Sequence, residues 1–170
     1  MLLWFGGPIL KAGIGGTKVL LIAHRGNVFG PQPELENNPI FLNDAISKGY
    51  MVETDVWYIN NKLYLGHDEP RYHIEIDYLK NEYFWCHCKN VEALKYLFDH
   101  GVHCFFHKQD DVTLTSKGYI WTFPKKKLVP GSVCVLPEYG YDGDLNDCAG
   151  VCSDYVEDFK NKKLPFGGNE

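Results

Sequence analysis

The chain has 170 residues, 45% of them apolar and 15% aromatic, which suffices for one domain with its own core and is too apolar for a disordered chain. Its formal net charge is −5, from 17 basic and 22 acidic side chains, so no polycationic surface argues for a nucleic-acid partner. The length falls short of a full-size (β/α)8 barrel, which takes about 250 residues.

Residues 1–17 hold an apolar patch (MLLWFGGPIL) in a glycine-rich stretch, without the basic leading region or A-x-A site of a secretory signal. We read 1–17 as a flexible leader, 18–162 as a single domain and 163–170 as a flexible tail; lacking a signal, the chain is expected in the cytoplasm. No run reaches the roughly 18 apolar residues of a membrane span. β-Branched and aromatic runs between turn formers predict eight strands: VLLIAHR (19–25), YMVETDVW (50–57), KLYLGHD (62–68), EYFWCHCK (82–89), VHCFFHK (102–108), GYIWTFP (118–124), SVCVLPE (132–138) and AGVCSDY (149–155). Helical spacing predicts two helices, 37–50 with Ile40, Phe41, Ala45 and Ile46, and 90–101 with Val91, Leu94, Leu97 and Phe98. Helices between strands give the β-α-β rhythm of a parallel sheet. After Asp110 no good helix is visible. The six cysteines, Cys86, Cys88, Cys104, Cys134, Cys148 and Cys152, are too scattered for a disulfide framework, and reduced thiols are expected.

Titratable residues gather at the ends of otherwise apolar strands. His24 and Arg25 close the first, Glu53 and Asp55 sit in the second, His67 and Asp68 close the third, and His87 and Lys89 close the fourth. With period-two alternation Glu53 and Asp55 share a face, as do His87 and Lys89, while Cys86 and Cys88 point the other way. Two carboxylates side by side raise each other's pKa unless a cation lies between them. A divalent ion is the simplest remedy, and an ion network with Arg25 or Lys89 is the plainer one. Oxygen ligands favour Mg²⁺ or Ca²⁺, and a histidine in the set widens the choice towards Mn²⁺ or Zn²⁺. Histidines beside such a site suit general acid and base work.

The ordered motifs H-R-G (24–26), Glu36-Asn37 opening a helix that ends Ala45-x-x-x-Gly49, E-T-D-V (53–56) and L-x-L-G-H-D (63–68) resemble the glycerophosphodiester phosphodiesterase family, among the phospholipase C-like phosphodiesterase barrels. The resemblance implies a phosphoric diester hydrolase that needs one divalent ion and acts on a small phosphodiester of lipid metabolism. By the same resemblance His24 and His67 would be the acid–base pair, Arg25 and Lys89 would contact phosphate, and Glu53 with Asp55 would hold the metal. Glu36 would support the site from behind or as a further ligand. His87 stands where the family has a third acidic ligand, so it joins the metal set here, with Glu138 or His107 available to complete it. Trp121 resembles an aromatic residue at the substrate mouth, and GVCSDYVEDF resembles the last barrel strand.

Eight strands are enough to close a barrel, so the shortfall in length falls on the helices. The fold expected is α/β: a reduced TIM-type (β/α) barrel with several outer helices missing, mainly in the second half, and an open α/β sheet as the alternative. Apolar strand surface should then be exposed after Asp110, covered by the leader or by another subunit of an oligomer. Two other functions compete. One keeps the barrel as a non-catalytic phosphate or lipid-headgroup binder, prompted by His87. The other is a zinc-binding module built from Cys86, His87, Cys88, His100, His103, Cys104 and His107, whose spacing lacks a C-x2-C pair.

Overall fold

The computed structural model describes residues 19–145 and 148–160; the expected leader (1–17) and tail (163–170) lie outside the described residues. Ten strands form one mixed sheet: β1 (Leu20–Ala23), β2 (Met51–Ile59), β3 (Lys62–Leu65), β4 (Tyr72–Ile74), β5 (Phe84–Cys88), β6 (Cys104–Phe105), β7 (Val112–Leu114), β8 (Ile120–Thr122), β9 (Ser132–Val135) and β10 (Gly150–Ser153). Two nine-residue helices, α1 (Pro39–Ser47) and α3 (Val91–Asp99), and two short ones, α2 (Ile76–Leu79) and α4 (Glu157–Lys160), accompany it. Both long helices begin where the sequence supplies a cap. The Asn38 Oδ1 accepts from the Ile40 N–H ahead of Pro39, and the Asn90 Oδ1 accepts from the Ala93 N–H.

Strands β6-β5-β2-β1-β10-β9-β8 run parallel in that order. Here the eight-strand expectation is corrected: KLYLGHD supplies β3, which folds back antiparallel on β2 and is not a parallel barrel strand. Asn60 and Asn61, at φ 51° and 60°, turn that hairpin with the two left-handed residues such a turn requires. The edge strands β4 and β7, antiparallel to β3 and β8, were not expected. The sheet is not closed, and no ladder joins β6 to β8 among the described residues. Between them the Ser116 N–H donates to the Cys104 carbonyl at 2.8 Å and the Thr113 hydroxyl to the Phe106 carbonyl at 3.0 Å.

Period-two alternation divides the core in two. On one face Val52, Val56, Phe84, Cys86 and Cys104 pack against Leu42 and Ala45 of α1 and Ala93 and Leu97 of α3. On the other, Ile22, Trp85, Phe105, Trp121, Val133 and Cys152 meet one another, without a helix among the described residues. All six cysteines are buried. After Asp110, Val112 and Leu114 are 48% and 68% exposed, and Leu114 borders an apolar groove with Val91 and Phe98 of α3. Among the described residues no helix is long and apolar enough to cross a membrane.

On the helix-free face His103 is buried beside Trp85 and Tyr119, and its Nε2 has no hydrogen-bond partner. Burial, with a smaller push from Lys117, drives its pKa down from 6.5 to about 3. Unfolded chains therefore take up a proton below pH ~6.5 that folded chains refuse, and stability falls by up to ~1.4 kcal/mol per pH unit as acidity rises towards the folded value. His103→Phe should flatten the decline in Tm between pH 6.5 and 4. Parallel Tm curves for the two proteins would show that His103 does not govern acid stability.

Candidate metal centre at the strand ends

β1 ends in a tight turn, His24–Gly26, in which Arg25 takes φ 52° and Gly26 φ 90°. A side chain is strained at such angles, and the turn persists because its backbone is held on both sides. The Arg25 N–H donates to Glu53 Oε2 at 3.1 Å, and the Arg25 carbonyl accepts from the Asn37 N–H at 3.1 Å. The turn swings His24 and Arg25 over the middle of β2, where Glu53 and Asp55 are 2% and 1% exposed.

The β2–β5 register sets Asp55 opposite His87. The His87 Nδ1 lies 3.0 Å from Asp55 Oδ1 and 4.0 Å from Glu53 Oε1, and one donor atom from each of the three falls within 4.8 Å of the others. Two buried carboxylates and an imidazole form a donor set for a divalent ion. A further observation supports the fit. The His87 Nε2–H points to the His107 carbonyl at 3.4 Å, leaving Nδ1 turned to the carboxylates, as the outer hydrogen bond of a metal-bound histidine does. The His107 ring stacks on His87 at 4.5 Å between centroids.

The charges around the acids are unequal. Asp55 accepts from the Asn37 amide at 3.0 Å and faces Arg25 Nε and Lys89 Nζ, each at 3.3 Å. Burial works against its charge, yet the His87 hydrogen bond, with Lys89 and Arg25 nearby, outweighs it and holds Asp55 well below the usual carboxylate range. Glu53 is pushed up, first by burial and then by Asp55, with His24 and His87 only partly offsetting them. The neighbouring acids are thus driven apart, and Glu53 lacks the compensation that a cation would supply. The buried Arg25 Nε, though near Asp55, makes no hydrogen bond and leaves a donor available beside the acids.

His24 is held from behind. Its Nδ1–H donates to Asp154 Oδ1 at 2.7 Å, while Nε2 faces Glu53 Oε2 at 3.9 Å. Burial opposes charge on His24, but the Asp154 bond and the Glu53 charge prevail and raise its pKa. His67 lies at the open side, after Gly66, with Nδ1 2.7 Å from Asp68 Oδ1. Gly66 has φ 145°, and a Cβ there would stand 2.1 Å from the Glu69 carbonyl oxygen, so only glycine makes the bend that presents His67.

The structure therefore brings His24, Arg25, Glu36, Glu53, Asp55, His67, His87, Lys89 and Trp121 to one cavity of about 640 Å³. Glu36 binds Arg25 Nη1 at 2.9 Å and accepts from the Asn27 amide at 2.9 Å, and it lies outside the donor group. Glu138 does not line the cavity; its carboxylate accepts from the Ser153 hydroxyl and the Asp154 N–H, which corrects the expectation that it could complete the metal set. Cys86 and Cys88 lie on the helix-covered face away from His87, and among the described residues no cysteine joins a ligand group, which counts against the zinc module.

Three residues were missed as site residues. Asp154 orients His24, and Asn27 joins Asp154 to Glu36. Asn37 accepts from the Thr54 hydroxyl and the Asp55 N–H while donating to the Asp55 carboxylate. The Glu36-Asn37 and Ser153-Asp154 pairs were visible in the motifs, but nothing local showed which carboxylate each would meet. No family model, curated protein or solved structure matches the chain.

Outer hydrogen bonds to metal ligands are worth about 10- to 100-fold in affinity, so Glu53→Gln and Asp55→Asn should each weaken Mn²⁺ binding by at least that much in calorimetric titration. His87→Asp should shift preference from Mn²⁺ and Zn²⁺ towards Mg²⁺ and Ca²⁺. An unchanged order of affinities would place His87 outside the ligand set.

Proposed function

We propose that the chain is a metal-dependent phosphodiesterase that cleaves a glycerophosphodiester or similar headgroup phosphodiester, on a reduced β/α barrel that lacks helices in its second half. The observation that carries this reading is the convergence, in one cavity, of two carboxylate-held histidines, a buried two-acid, one-histidine donor group and two cations. The order of the motifs, with its resemblance to glycerophosphodiester phosphodiesterases, supports the same chemistry.

A divalent ion on Glu53, Asp55 and His87 would offset negative charge at the non-bridging phosphoryl oxygens. Arg25 and Lys89, which line the same cavity, act on the same oxygens. Because Asp154 takes the Nδ1–H of His24, the neutral ring presents Nε2 as a base, and Asp68 does the same for His67. One imidazole removes the proton from the attacking hydroxyl, of water or of the substrate's own alcohol, as that oxygen bonds to phosphorus. The bond from phosphorus to the leaving oxygen breaks, and the other imidazole, which must enter the cycle protonated on both nitrogens, gives that oxygen its Nε2 proton.

A second reading, non-catalytic phosphate binding on the same scaffold, draws on one observation. His87, Lys89 and Arg25 already pair with Asp55, so the acids can stand as an ion network. Hydrolysis of bis(p-nitrophenyl) phosphate and glycerophosphocholine, assayed with Mg²⁺, Ca²⁺, Mn²⁺ and Zn²⁺, separates the two. His24→Ala and His67→Ala should each lower kcat by about 10²–10⁴-fold, with metal affinity and Tm retained. Rates equal to wild type in both variants would remove the acid–base assignment, and absence of metal-dependent turnover in the wild type would leave the binding reading.

A further inference from the structure

The cavity has two unlike walls. Most of the charged groups come from β1, β2, β3 and β5, with Glu36 from the loop before α1 and Asp154 after β10, whereas the ends of β6, β8 and β9 contribute Phe106, Trp121, Phe123, Pro124, Val135 and Leu136. The polar neighbours on that side are His107, whose half-buried ring lies flat against His87 at the boundary with the charged wall, and Lys108 and Gln109, which are exposed. A phosphate between the metal ligands and Arg25 occupies only the charged side of a space of about 640 Å³.

One residue shows that the fold commits backbone strain to this wall. Leu136 adopts φ 47° and ψ 56°, a left-handed conformation that asparagine or glycine takes far more readily, yet its side chain is 7% exposed and faces the cavity. Its N–H is fixed by the Cys152 carbonyl at 2.7 Å. The apolar surface also continues outward, since Phe123 and Tyr139 line the cavity and stand 39% and 53% exposed at its mouth. A polyol on this wall would exchange water for carbon, and buried hydroxyls without partners are unfavourable. An alkyl or acyl chain would meet surface of its own kind.

We propose that the substrate is an amphiphilic phosphodiester, in which one ester group carries a single apolar chain that lies along Phe106, Trp121, Phe123 and Leu136 while the phosphate sits at the charged wall. This rests on the phosphodiesterase reading and specifies which diester it acts on.

The test uses the full chain and two soluble ester series, from methyl to hexyl, kept below micelle formation. Turnover is read with p-nitrophenyl alkyl phosphates, which hold the leaving group constant. Binding is read by tryptophan fluorescence with alkyl methylphosphonates, whose integrity is checked by phosphorus NMR. Each methylene that is fully buried should strengthen interaction by about fourfold, so hexyl should exceed methyl by more than about tenfold, both in kcat/KM and in affinity. Leu136→Asn, which suits the left-handed backbone and puts a polar group on the wall, is expected to cut the hexyl-to-methyl affinity ratio at least threefold. Phe123→Ser, at a half-exposed position, should act in the same direction. Equal affinity for methyl and hexyl esters would overturn the apolar-chain proposal, whatever the turnover. A chain-length effect on binding without cleavage of any p-nitrophenyl ester would keep the apolar wall and remove the phosphodiesterase reading.

Discussion

Two carboxylates that share one face of one strand dominate this fold. Glu53 and Asp55 are almost completely withdrawn from water, and two like charges so placed are costly unless each finds a partner. The structure answers asymmetrically. Asp55 receives Arg25, Lys89, His87 and Asn37, which arrive from the β1 turn, from β5 and from the loop before α1. Glu53 receives a backbone N–H from Arg25 and only distant imidazoles. Much of the irregular chain at the carboxyl ends of the strands is therefore arranged to serve these acids, and the remaining deficit at Glu53 is where a cation fits.

The sheet supplies this arrangement through register and alternation alone. Pairing β2 with β5 in parallel puts His87 beside Asp55 and sends Cys86 and Cys88 to the helix side. Placing β10 next to β1 brings Asp154 behind His24, although the two are 130 residues apart. A one-residue slip in either pairing would move a key side chain to the opposite face. Packing of Trp85, Phe105 and Trp121 against Ile22 and Val133 guards against that slip, so the helix-free core fixes the chemistry as well as the stability.

Much of this was legible in the sequence because the strands are short and apolar with polar ends, and a period of two then tells which residues share a face. Glu53 with Asp55 and His87 with Lys89 follow from spacing alone, and the two long helices follow from the apolar spacing of Ile40, Phe41, Ala45 and Ile46 and of Val91, Leu94, Leu97 and Phe98. The hairpin role of β3 was harder to see. KLYLGHD has the composition of any strand, and only the angles at Asn60 and Asn61 make it return antiparallel. The short edge strands β4 and β7 pair on one side only and carry no full apolar run. Glu138 stood at a strand end like the true site residues, yet the left-handed Leu136 before it turns the chain so that its carboxylate meets Asp154 from behind. Such contacts depend on backbone conformation and partners far along the chain, which local pattern does not encode.

Strain completes the argument. Arg25, Asn37 and Leu136 all take left-handed backbone angles without being glycine, and all three border the site. Each is pinned by bonds from other elements: Arg25 by Glu53 and Asn37, Asn37 by Thr54 and Asp55, and Leu136 by Cys152. Unfavourable angles survive where the surroundings over-determine them. At Arg25 and Asn37 the surroundings are the very acids that the loops compensate, so the charged wall and its supporting turns stabilise one another. At Leu136 the anchor is a backbone carbonyl of β10, independent of the acids. The two walls of the cavity are thus held by separate means, and a change in one need not disturb the other.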